Sequence, residues 1–105
     1  MKRHRPCFDP EEVARLALAG RIVVTQRVVS WLMNHDYDVA ETLTVVLSSL
    51  GAHGRSIGSV VLRNGEPADE YVVARLGEEW YVKFSIDGEQ VMTHVWSCCW
   101  DGAVH

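Results

Sequence analysis

The chain has 105 residues, 48% of them hydrophobic and 23% charged, with a formal net charge of −4. That length accommodates one domain with one core and is too short for two; the composition excludes fibrous, disordered and repeat architectures. The longest apolar runs, such as Val45-Val46-Leu47, fall far short of the ~20 residues that a membrane-spanning helix needs.

Charge is unevenly spread. Residues 1–30 carry six basic and three acidic residues, a balance of +3, whereas the remainder carries four basic and eleven acidic residues, a balance of −7. A nucleic-acid partner would therefore have to meet a local basic patch, because the overall field repels it. The basic start, Met1 to Arg5, is not followed by an apolar stretch, so a cytoplasmic protein without a membrane partner is expected. Cys7, Cys98 and Cys99 are too few and too closely spaced for a disulfide framework and read as reduced thiols.

In chain order, residues 1–8 form an N-terminal arm. Asp9, Pro10, Glu11 and Glu12 then announce a helix over 10–19, since an acceptor, a preset φ and two carboxylates suit a helix start. Arg21 to Thr25 is a brief strand or an extended linker. Thr25 caps a second helix reaching about Asn34, and Asp38 caps a third, Val39 to Leu50, with Glu41 completing a capping box. Gly51 to Ser56 reads as a loop holding His53 and Arg55. Beyond it the hydrophobic period changes from helical to strand-like. Strands are placed at 59–63, 70–76, 79–86 and 90–97, separated by the turns Asn64-Gly65, Gly77-Glu78 and Asp87-Gly88, with a tail over 98–105.

Within the third of these strands, Trp80, Val82, Phe84 and Ile86 alternate with Glu79, Tyr81, Lys83 and Ser85. Successive side chains of a strand point to opposite faces, so the first set faces the core and the second does not. The expected fold class is α+β: N-terminal helices packed on one face of a small antiparallel sheet, the other face partly open.

If the face holding Tyr81, Lys83 and Ser85 coincides with that of Tyr71, Val73 and Arg75 and with one set from the last strand, it gathers Tyr, Arg, Lys and His94, with Arg55 overhanging from the loop. Such a set suits cleavage of RNA, in which one group removes the 2′-OH proton, cations hold the phosphate and another group protonates the leaving oxygen. On residue type alone the commoner reading of these positions is the solvated face of an ordinary antiparallel sheet, with cross-strand pairs such as Glu79 with Arg75 and a hydrogen-bonded structural His94. A zinc site built from His94, Cys98, Cys99 and His105 is disfavoured, because adjacent cysteines cannot readily face one ion. No metal or other cofactor is expected.

The order of elements, together with Y-D-V-A-E-T-L-T-V-V-L-S-S-L, G-R-S-I, D-E-Y and W-Y-V-K-F-S, resembles the motility quorum-sensing regulator (MqsR) toxins over roughly residues 8–97. The resemblance implies a RelE/barnase-like microbial ribonuclease fold and a metal-independent mRNA interferase of a type II toxin–antitoxin pair. Its implied partners are single-stranded mRNA and a cognate antitoxin. It implies catalytic roles for Arg55, at the family's lysine position with Ser56 after it, and for Tyr81 and Lys83, and it places His94 or Trp96 near the family's last-strand motif. Joined with the strand faces, the expected catalytic set is Arg55, Tyr81, Lys83 and His94, with RNA contacts from Ser56, Tyr71, Arg75 and Trp96. Asp69 falls on the acidic residue opening the family's D-x-Y motif. Two departures are Ala68, where the family has glutamine, and the acidic net charge. The alternative expectation is a catalytically inactive module of the same fold that recognises a protein or RNA.

Overall fold

A computed structural model describes residues 5–103. Three helices begin where the capping chemistry places them. In α1 (Pro10–Leu18) the Asp9 carboxylate accepts from the Glu11 amide at 3.0 Å. In α2 (Gln26–Asn34) Thr25 accepts from Val28, and in α3 (Val39–Ser48) Asp38 accepts from Glu41 at 2.9 Å. Each side-chain oxygen satisfies an amide that has no partner within its helix.

Five strands follow or intervene: β1 (Ile22–Val24), β2 (Gly54–Val61), β3 (Pro67–Arg75), β4 (Glu78–Asp87) and β5 (Met92–Trp100). They form one sheet in the order β1-β5-β4-β3-β2. The four longer strands are the expected antiparallel meander. β1 joins the far edge in parallel, Ile22 opposite Thr93 and Val24 opposite Val95. The fold is α+β, and the sheet is mixed rather than purely antiparallel. The β-branched segment 22–24 resolves as a strand because β5 leaves an edge that it can hydrogen-bond.

Several boundaries differ from the sequence reading. The third helix ends at Ser48, and Leu50–His53 forms a short α4. Gly51 to Ser56 is therefore not a loop. Gly54 opens β2 so close to α4 that a Cβ there would lie 2.6 Å from the Leu50 carbonyl oxygen, an approach only glycine permits. β3 begins at Pro67 rather than at residue 70, and the first residue of a strand is a position where proline's missing N–H is tolerated. Cys98, Cys99 and Trp100 complete β5 instead of opening a tail. Of that tail, 104–105 lie outside the described residues, as do residues 1–4 of the N-terminal arm.

The helices all cover one face. Trp80, Val82 and Phe84 of β4 have no exposed surface and meet Val13, Val28, Leu43, Val46 and Leu47 from the helices. At one end Trp31, Tyr37, Trp80 and Trp100 meet edge-to-face, with Trp31 and Trp80 centroids 6.1 Å apart, Trp31 and Trp100 5.1 Å apart, and Tyr37 and Trp80 5.0 Å apart. These are favourable aromatic separations. Trp100 Nε1 donates to the Tyr37 hydroxyl at 3.1 Å, so the indole's polar atom is not stranded.

Asp69, fully buried on this side, ties down the arm. Its carboxylate accepts from the Cys7 and Phe8 amides at 2.8 and 2.9 Å and from Ser59 Oγ at 2.5 Å. A buried carboxylate is tolerated when hydrogen bonds replace its hydration. The acidic residue of the D-x-Y motif is therefore an anchor of chain entry.

Candidate functional site on the helix-free face

Antiparallel partners share a face, so the register decides which residues can meet. Across the strands, Arg55 stands opposite Val72, Val72 opposite Tyr81, and Tyr81 opposite Cys99. One row along, Gly58, Glu70, Lys83 and Ser97 are aligned, and beyond them Ser85 faces His94. The side of the sheet away from the helices thus gathers Arg55, Glu70, Tyr81, Lys83, Ser85, His94 and Ser97.

Tyr71 and Arg75 do not join them. Tyr71 lies opposite Val82, is 4% exposed and packs with its ring centroid 5.8 Å from that of Phe84, inside the core. Arg75 lies opposite Glu78 with the same parity as Tyr71. Ser56 lies opposite Tyr71 and shares its side. The faces of β3 and β4 that were expected to coincide are opposite ones, and among the expected RNA contacts only Trp96 reaches this side. Its Nε1 donates to Ser85 Oγ at 3.0 Å. Arg55 is on this face but within a strand, at the exposed edge of the sheet rather than on an overhanging loop.

The centre of the face is a carboxylate that the sequence reading did not single out. Glu70 is 8% exposed and stands opposite Lys83, and it accepts a short hydrogen bond from the Tyr81 hydroxyl, 2.5 Å to Oε2. Burial, and then the hydrogen bond and charge of Glu70, push the Tyr81 phenol far above its ordinary value. Tyr81 therefore keeps its proton at neutral pH and can donate; it cannot serve as a base. The alternation in D-E-Y carries the signal for Glu70. A two-residue turn between strands pairs odd-numbered with even-numbered positions, so Tyr81 and Lys83 must share their side with Glu70. The turn is Leu76-Gly77, both at positive φ (57° and 75°) as a tight hairpin requires.

A β-bulge shapes the other half. Lys83 pairs with Ser97 but Phe84 pairs with Val95, which leaves Trp96 as the extra residue of β5. Beside it, the His94 ring lies 5.6 Å from Trp96, and His94 Nε2 lies 3.9 Å from Asp87 Oδ2 with no hydrogen-bond partner. A cleft of about 560 Å³ opens here, its lining including Pro67, Ser85, Asp87, Glu89, His94 and Trp96. A cavity of about 630 Å³ lies at the opposite end of the strands, around Arg75, Glu78 and Trp100, away from these groups.

Among the described residues no three of His, Cys, Asp and Glu are grouped as a metal set. Cys98 stands opposite Val82 and Cys99 opposite Tyr81, so the adjacent thiols point to opposite faces of the sheet. Burial raises the pKa of both thiols, keeping them protonated. His105 lies outside the described residues. No protein-family model matches the chain, and no curated protein matches it in sequence.

Proposed function

We propose that the protein is a metal-independent endoribonuclease that cuts single-stranded mRNA, a cytoplasmic toxin of the MqsR kind on a RelE/barnase-like scaffold, held in check by a cognate antitoxin. The observation that carries this reading is the position of Glu70, a buried carboxylate between the Tyr81 hydroxyl and the strand position of Lys83, on the face that also holds His94. In this reading Glu70 takes the proton of the ribose 2′-OH as its oxygen attacks phosphorus. The P–O5′ bond breaks, and His94, as the general acid of this reading, gives a proton from its ring to the leaving O5′. Lys83 and Arg55 hold the charge that gathers on the non-bridging oxygens, and Tyr81 orients Glu70. His94 stands two strands and two residues from Glu70, about 12 Å between backbones by sheet spacing, a span that two side chains and a phosphodiester can bridge.

One observation favours a second reading, a binding module without catalysis: the Tyr81 hydroxyl is spent on Glu70. The two readings separate in one assay. Purified protein is incubated with an unstructured RNA in excess chelator, and with the same RNA fully 2′-O-methylated. Cleavage of the first alone, leaving 2′,3′-cyclic phosphate ends, is expected; intact RNA across varied sequences would leave only the binding module. Growth arrest on expression, relieved by co-expression of a partner encoded nearby, tests the toxin assignment.

A further inference from the structure

A second, smaller cavity adjoins the cleft. It has a volume of about 310 Å³ and is lined by Arg27, Arg63 and Lys83 with Trp96, together with Thr25, Leu62 and Asn64. Both cavities include Trp96 and Asn64 in their lining, so they are contiguous along the same face. Their electrostatics are opposite. The larger is edged by Glu66, Asp87 and Glu89, whereas no acidic side chain lines the smaller. In a chain with only four basic residues after residue 30, two of them converge here with a third from the start of α2.

Three separate elements build this convergence. Arg63 sits at the tip of the β2–β3 hairpin, closed by Leu62 N donating to Glu66 O at 2.8 Å and Gly65 N to Leu62 O at 2.9 Å. Arg27 is in the first turn of α2, which contains no acidic residue to neutralise it. Lys83 comes from the centre of the sheet. By contrast Arg15 pairs with Glu12 and Arg21 donates to the Val91 and Gln90 carbonyls, both at 2.7 Å. Trp96 projects as the extra residue of the bulge, and its one polar atom is occupied by Ser85, which fixes the indole. A fixed indole next to cations accepts any nucleobase by stacking, while the cations take the attached phosphate.

We propose that this cavity is a nucleotide subsite for single-stranded RNA: Arg27, Arg63 and Lys83 hold a backbone phosphate, and the indole of Trp96 stacks with the base beside it. The proposal rests on the ribonuclease reading for the direction of the strand, which passes from the cationic cavity along the face toward Glu70 and His94. It adds residues to which neither sequence pattern nor resemblance points, Arg27 and Arg63. The subsite also gives an acidic protein a local basic contact for RNA, since three cations line one cavity that no acidic side chain lines.

Binding of a fluorescently labelled, fully 2′-O-methylated hexanucleotide tests it without interference from cleavage. Affinity is expected to fall about tenfold in Arg63→Ala and in Arg27→Ala. Each of these variants should lower the slope of log affinity against log salt, and the double variant should lower it by about 0.7, the value for one phosphate contact on a single strand. Trp96→Ala should weaken binding by about tenfold or more with the salt slope unchanged, and Trp96→Phe should recover most of that loss. Arg75→Ala, on the other face, should bind as the parent does. Unchanged affinity and slope in the arginine variants, or polyphosphate competing as well as the oligonucleotide, would overturn the subsite. RNA cleavage surviving alongside unchanged binding would remove the subsite and leave the ribonuclease reading. Binding with the expected slopes but no cleavage of unmodified RNA would do the reverse.

Discussion

The two faces of one sheet use the same strands to opposite ends. On the helix side the alternate residues Trp80, Val82 and Phe84 are completely buried among helices, and polar groups such as Asp69 are satisfied several times over. On the other side the intervening residues are polar, and several are scarcely more exposed: Glu70, Ser85 and Ser97 are each under a tenth accessible. Tyr81 bonded to Glu70 and Trp96 bonded to Ser85 show why, since large side chains lie over smaller ones. The comparison teaches that this face is not a solvated backside. Enclosure of polar groups costs stability unless they are paired, and here Tyr81 pairs with Glu70 and Trp96 with Ser85.

Substitutions at adjacent positions break the comparison most sharply. Trp80→Ala, on the helix face, is expected to destabilise by about 3–5 kcal/mol, read as a fall in the urea midpoint. Asp69→Ala strands the Cys7 and Phe8 amides and the Ser59 hydroxyl, at a cost of about 2 kcal/mol, and should expose the bond after residue 8 to limited proteolysis. Tyr81→Phe, one residue from Trp80, removes the hydroxyl that donates to the Glu70 carboxylate and should cost about 1.5–2 kcal/mol, the worth of a hydrogen bond to a charged group. A loss at Tyr81 as large as that at Trp80 would mean that the two faces do not differ as described.

The smallest effect is on pH dependence. The Tyr81 and Tyr71 phenols and the Cys98 thiol are all held above their ordinary values, each chiefly by burial. In the unfolded chain these groups lose protons near pH 9–10, whereas the folded chain retains them. The unfolded state then binds fewer protons, so stability is full below about pH 8 and declines as pH rises past about 9. Tyr81→Phe removes one contributor and should make the alkaline decline shallower in denaturation titrations.

Much of this was legible in the sequence. Asp9, Thr25 and Asp38 marked three helix starts because capping is local chemistry, and the alternation over 79–86 marked both faces of β4. Alternation failed on β3, where Ala68 to Val73 are all buried and neither face is solvated. The site was only half legible for the same reason. Tyr71 looks like a partner for Tyr81 by residue type, yet the two-residue turn at Leu76-Gly77 gives that place to Glu70. The bulge at Trp96 and the meeting of Arg27 with Arg63 depend on strand pairing and chain return over long separations, which no short motif encodes.

The most direct measurement compares Glu70→Gln with Asp69→Asn, neighbours on opposite faces, in chelator-containing RNA cleavage assays on protein shown to be folded by its denaturation curve. Loss of cleavage by about 10²- to 10⁴-fold is expected in Glu70→Gln with little change in stability, whereas Asp69→Asn should lose stability and keep its cleavage rate when folded. Cleavage undiminished in Glu70→Gln would contradict the placement of the chemistry on the helix-free face.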